Sequence, residues 1–154
     1  MVATLFENLL KEFEPYFRCP LKPDENESCL IHLGMGFDVQ IELNRSGLVL
    51  IGCKLGVLPH SRYRDLVFKQ ALKINGTTNP STGVFGYSQK SSQLILFLVL
   101  DPQTLNPERI TTILNPFFIK ANIWAQAIKQ ATVPSTGKEN TPVNGPAALF
   151  GLKR

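Results

Sequence analysis

Apolar residues recur along this chain with two different periods, and the switches between them divide it into elements. Over residues 4–14, Leu5, Phe6, Leu9, Leu10 and Phe13 share one helical face. Thr4 and Glu7 stand at capping-box spacing, each able to satisfy a free amide at the helix start. Pro15 has no amide to donate and predicts an end near Glu14. A polar, Pro-containing connection fills residues 19–28. Strands are predicted over 29–33, 37–43 and 48–54. In the second, Phe37, Val39, Ile41 and Leu43 alternate with Asp38, Gln40 and Glu42, the period of a half-buried antiparallel strand. Asn44-Arg45-Ser46-Gly47 is hairpin chemistry.

A second helix is predicted over 62–74, with Ser61 as N-cap and Gly76 as its stop. Residues 84–87 and 94–100 read as a second hairpin. The last helix opens with Asn106 as N-cap, Pro107 in the first turn and Glu108 facing the positive end of the helix dipole. Its apolar face runs through Ile110, Ile113, Leu114, Phe117, Ala121, Trp124 and Ile128 down to about Gln130. Pro116 inside it predicts a kink or a split. The order α-βββ-α-ββ-α predicts an α+β fold: an antiparallel sheet with helices mainly on one side. Residues 1–130 form the expected domain. Residues 131–154, rich in Pro, Gly, Ser, Thr and Asn, read as a flexible tail. Its end, AALFGLKR, has some character of an interaction motif, although the simpler reading is a disordered end without a role.

Composition narrows the class. The chain has 154 residues and 44% hydrophobic content, enough for one domain with a real core. Acids interrupt the apolar N-terminus, which argues against a secretory signal. The longest apolar run, Leu94 to Leu100, is too short to span a bilayer. A soluble, cytoplasmic protein without membrane insertion is expected. Cys19, Cys29 and Cys53 are too few and too scattered for a disulfide framework. The net charge of +4 is unevenly spread: residues 1–42 hold 8 acids and 3 bases, residues 43–154 hold 4 acids and 13 bases. A basic half permits nucleic-acid contact, but these bases are scattered and no aromatic–basic recognition motif accompanies them.

No constellation for catalysis emerges. His32 reads as a sheet histidine and His60 as a solvated loop residue. Cys29, His32 and Cys53 could meet across strands, but Cys29 and His32 have odd spacing and point to opposite faces of one strand. The glycines at 34 and 36 and at 83 and 86 are not followed by a phosphate-binding Lys-Ser/Thr. Neither enzyme activity nor a metal or other cofactor is expected. What needs explaining is a surplus of apolar strand. Residues 48–53 and 94–100 are apolar on both faces, more than a sheet covered on one side requires. Either the second face binds a partner, or helices or a dimer mate cover it.

The succession of segments resembles the class I type III secretion chaperones, the Tir chaperone (CesT)-like family, over about residues 3–130. The segments are LFENLLKEF, DENESCLIHL, FDVQIELNRSGLVLIGCKLGVLP, ALKINGTTNPSTGVFGYSQKSSQLILFLVL and the helix start LNPERI followed by Trp124. The resemblance implies a bacterial cytoplasmic homodimer that holds the N-terminal segment of a secreted effector in extended form. The cargo would be kept export-competent and presented to the export ATPase, and no nucleotide would be hydrolysed by the chaperone itself. On this reading Leu5, Leu9, Phe13, Phe37, Val39, Ile41, Leu50, Leu94, Leu96 and Leu98 supply core or cargo surface. Tyr63, Leu66, Val67, Phe68 and Leu72 supply the dimer interface. The basic charge, Pro116 and the long tail depart from the family pattern. The competing expectation is a regulatory protein that binds nucleic acid or the transcription apparatus through its basic half.

Overall fold

Thr4 opens the first helix as its spacing predicts. In the computed structural model, which describes residues 4–134, Thr4 Oγ1 accepts from the Glu7 amide at 3.0 Å and Glu7 Oε1 accepts from the Thr4 amide at 3.0 Å. The helix α1 (Leu5–Phe17) buries Phe6, Leu9, Leu10 and Phe13. It does not end before Pro15. In the last turn a proline removes a single amide bond, and Arg18 closes the helix in the left-handed region (φ 55) with its N–H on the Glu14 carbonyl.

Strands β1 (Ser28–His32), β2 (Asp38–Leu43) and β3 (Val49–Val57) follow, then α2 (Arg62–Thr77), β4 (Val84–Ser88), β5 (Gln93–Leu100) and α3 (Pro107–Lys129). The α+β order is the expected one. The helix α2 runs past Gly76 because the Thr77 and Thr78 hydroxyls take up the Lys73 and Ile74 carbonyls, so no left-handed glycine is required. The helix α3 is one element through Pro116. That proline lies on the solvent side, where a carbonyl freed from the helix ladder can meet water. The tail expected from residue 131 lies outside the described residues from 135 onward. Among the described residues no helix is long and apolar enough to cross a membrane.

The five strands form one antiparallel sheet in the order β1-β2-β3-β5-β4. One face carries Cys29, Ile31, Val39, Ile41, Ile51, Cys53, Phe85, Leu94, Leu96 and Leu98, all buried in a core shared with α1 and α3. A bulge between Lys54 and Gly56 shifts the β3–β5 register. There α3 comes in close: a Cβ on Gly56 would stand 2.7 Å from Ile128 Cγ2.

Candidate functional site

Strand parity makes the site. With Val39, Ile41, Ile51 and Leu96 turned into the core, the alternate residues turn to the opposite face, which neither α1 nor α3 fills. One row across this face, residue by residue in register, is Leu30, Gln40, Gly52, Phe97 and Val84. Beside it lie Glu42 paired with Leu50 and, further on, Leu50 paired with Val99. Leu30 is 57% exposed and Val99 49%. Together with Ile95 and Phe97 they leave an apolar surface in water, the kind of patch that marks an interaction site. The face is concave. It holds a cavity of about 690 Å³ whose lining includes Leu30, Phe37, Asp38, Gln40, Glu42, Leu50, Gly52, Lys54, Ile95 and Phe97.

The polar side chains of β1 and β2 on this face bond to one another. Gln40 Nε2 donates to Ser28 Oγ at 2.8 Å and to Glu42 Oε2 at 2.6 Å. His32 Nδ1 lies 3.0 Å from Asp38 Oδ1 at the solvent-exposed end of the β1–β2 pair. No cationic side chain reaches Glu42 among the described residues. A second groove lies between α1 and the β2–β3 turn, where Leu5, Leu9, Leu48 and Leu105 meet Glu12 and Asp101.

Each sheet edge has one residue held at both of its backbone groups. On β4 the Asn75 side chain grips one residue at both backbone groups. Its Nδ2 donates to the Phe85 carbonyl at 3.0 Å, and its Oδ1 accepts from the Phe85 amide at 2.9 Å. On β1, Ser28 is engaged in the same way from the preceding loop: its amide donates to Asp24 Oδ1 and its carbonyl accepts from the Asp24 amide. By the alternation of the ladder, Leu30 and His32 turn their own N–H and C=O outward. The β1 edge can therefore take another strand over those residues.

The structure sorts the residues expected to bind cargo. Leu9, Phe13, Phe37, Val39, Ile41, Leu94, Leu96 and Leu98 are core residues, each at most 6% exposed. Leu5, 65% exposed, and Leu50, half-buried on the open face, are the two that solvent reaches. The reason is geometric: α1 and α3 cover the face of Val39 and Ile41, so the accessible apolar residues of the same strands are the alternate ones. Leu30, Ile95, Phe97 and Val99 were not singled out in the sequence. Their signal is parity with Gln40 and Glu42, carried across the hairpins.

The residues expected at a dimer interface divide likewise. Leu66 and Leu72 are exposed, at 48% and 70%, and Val67 is fully buried. Phe68 packs edge-on against Tyr87 with ring centroids 4.8 Å apart. Burial pushes the Tyr63 hydroxyl pKa up, and that hydroxyl is tied to the end of α3 by donating to the Thr132 carbonyl at 2.6 Å. The Arg64 guanidinium lies over the Phe68 and Tyr87 rings. Between α2 and β4 a smaller apolar groove of about 170 Å³ runs past Phe68, Leu72 and Tyr87.

Among the described residues nucleophiles and bases do not converge. Cys29 and Cys53 point into the core, where burial raises both thiol pKa values, that of Cys53 to about 12. His32 lies outside on the exposed strand edge. Lys120, half-buried, donates to the Gly83 carbonyl at 2.9 Å and joins α3 to the turn before β4. Burial lowers its pKa.

Solved structures share this architecture. The chain is similar to a chain of the ExsC–ExsE complex, at 18% identity and a TM-score of 0.63 over 78% of this chain and 90% of that one. It is similar to a chain of the HopA1–SchA chaperone–effector complex, at 14% identity and a TM-score of 0.61 over 82% and 100%. A third neighbour, from the ExoT–SpcS complex of Pseudomonas aeruginosa, has 14% identity and a TM-score of 0.60 over 80% and 99%. No curated protein sequence matches significantly. The sequence profile of the Tir chaperone protein (CesT) family matches residues 8–125, from within α1 to near the end of α3, and the chain belongs to that family.

Proposed function

We propose that this protein is a type III secretion chaperone of the bacterial cytoplasm. It binds the N-terminal, non-globular segment of secreted effector proteins and keeps them export-competent. The observation that carries this reading is the open, concave, apolar sheet face on a fold whose solved neighbours include a chaperone–effector complex. A cargo segment lays apolar side chains on Leu30, Leu50, Ile95 and Phe97, continues past Leu5 on α1, and adds a strand at the outward-facing backbone of Leu30 and His32. Backbone hydrogen bonds then supply affinity and side-chain pockets supply selectivity. Wrapping a disordered segment requires a large surface, because ordering it costs free energy that only extensive contact offsets.

The working unit is a homodimer. The exposed Leu66 and Leu72 on α2, next to the groove along β4, support α2 as its interface. Presentation of the loaded cargo to the export ATPase completes the role, which is binding without catalysis.

The test is co-expression of the tagged chain in its native cell, with mass measurement of the proteins that stay bound and assay of their export. The wild-type chain is expected to retain a secreted protein through that protein's N-terminal segment. Phe97→Glu should release it without changing the thermal midpoint of the chaperone. Retention of the same cargo by a folded Phe97→Glu chain would count against this face.

A further inference from the structure

Gly52 stands at the centre of the open face, in the third of five strands, and nothing in the fold requires a glycine there. Two other glycines show what such a requirement looks like. Gly56 has φ 156, and a Cβ on it would meet Ile128 at 2.7 Å. Gly83 has φ 112, and a Cβ on it would meet Leu96 at 2.9 Å. At Gly52 the backbone lies outside the left-handed region, and the nearest atoms to an added Cβ, Leu96 O and Phe97 Cβ, stand at 3.9 Å. That is ordinary van der Waals contact. Glycine in a central strand weakens it and leaves nothing to pack, so its presence marks a bulge or a close approach from outside. The bulge of β3 lies further on, between Lys54 and Gly56. The missing side chain deepens the cavity between Gln40 and Phe97, its register partners on either side.

Three charged residues line the cavity, Glu42 at one end and Asp38 and Lys54 toward the other, and among the described residues the unpaired acid beside the socket is Glu42. Glu42 is half-buried, lines the same cavity, and receives the amide of Gln40 but no cation. In the register it lies one diagonal step from Gly52, on the order of 7–8 Å. A carboxylate partly removed from water with a single neutral donor favours a positively charged neighbour.

We propose that Gly52 is the floor of a socket for one large apolar side chain of the cargo, aromatic, leucine or methionine, and that the cargo carries a lysine or arginine beside it for Glu42. This rests on the reading of the open face as the cargo surface and names the chemistry that surface selects. A second copy of the chain fits poorly here. A two-fold contact centred on this face would set socket against socket, with no large side chain to fill either.

The test is a 12-residue peptide display library selected on the full chain, with the winning peptides titrated against variants. The selected peptides are expected to share a large apolar residue close to a Lys or Arg. Gly52→Leu, which fills the socket from below, should weaken them at least tenfold. Gly52→Ala, which the backbone accommodates, should weaken them about threefold and serves as the control for folding. Glu42→Gln should weaken them about threefold and flatten the salt dependence. If Gly52→Leu leaves affinity unchanged while Phe97→Glu abolishes it, the socket is wrong and the open-face reading stands. If neither substitution matters, the open-face reading falls with it. Peptide affinity that drops as chain concentration rises would assign the face to a second copy and overturn the proposal.

Discussion

The two faces of the sheet are built from the same kinds of residue and have opposite fates. On β3, Ile51 is fully buried and its neighbour Leu50 is only half-buried. On β5, Leu96 and Leu98 are core, while Phe97 borders an open cavity and Val99 is 49% exposed. Hydrophobicity does not separate these neighbours. What separates them is where α1 and α3 lie. A face that meets two helices becomes a core, and a chemically similar face left in water becomes a surface for something else. Here the apolar character of the open face has no structural use in the isolated chain, and that supports a partner.

The contrast is sharpest for adjacent residues of one strand. Ile51→Ala should cost about 2–5 kcal/mol, the range for a buried aliphatic side chain, read by chemical denaturation. Leu50→Ala should cost well under that and weaken cargo instead. Equal losses of stability at the two positions would break the comparison.

The next largest effect belongs to the covered face alone. Cys53 keeps its proton to about 12 in the folded chain, against an ordinary thiol value of 9.0. Above pH 9 the unfolded state therefore binds fewer protons than the folded state, and stability falls as pH rises. The steepest slope from this group is about 1.4 kcal/mol per pH unit. Denaturation midpoints from pH 8 to 11 should show the decline in the wild type and less of it in Cys53→Val. An identical decline in both would remove this thiol from the account.

The edges give a smaller effect. Asn75→Ala should cost about 1–2 kcal/mol, since it leaves the Phe85 backbone without its two bonds. It should also open β4 to further strands, read as concentration-dependent light scattering. A monodisperse Asn75→Ala chain would show that the side chain does not guard this edge. The smallest effect is expected on the open face: Leu30→Ser should change stability by no more than about 0.5 kcal/mol and still reduce cargo binding. A large stability loss there would mean that Leu30 packs more tightly than its exposure indicates.

Much of this fold was legible because its local signals agree. The Thr4–Glu7 capping box, the Asn106-Pro107-Glu108 helix start and the alternation through β2 each name an element and a face by rules that act within a few residues. The segment order then carried the family. Misreadings came where a local rule met a compensation further off. Pro15 sits where a helix can lose one amide bond, Pro116 faces water, and the threonines after Lys73 replaced the stop expected at Gly76.

The candidate site was less legible, and the gap lies between β2 and β5. Polar Gln40 and Glu42 mark the outer face of β2, and the short hairpin at Asn44 carries that parity to Leu50 and Gly52 on β3. No such turn links β3 to β5. Their pairing spans α2 and β4 and includes a bulge, so Leu94–Leu100, apolar at every position, offers no residue that declares its face. Leu94, Leu96 and Leu98, expected as core or cargo surface, accordingly fall in the core, while Ile95, Phe97 and Val99 take the open face. The sequence by itself determined the elements, their order and the family, because those depend on neighbours along the chain. The tertiary structure alone decided which side of an apolar strand is core and which is left open. That choice depends on where distant helices land, and a side chain apolar enough for both faces cannot encode it.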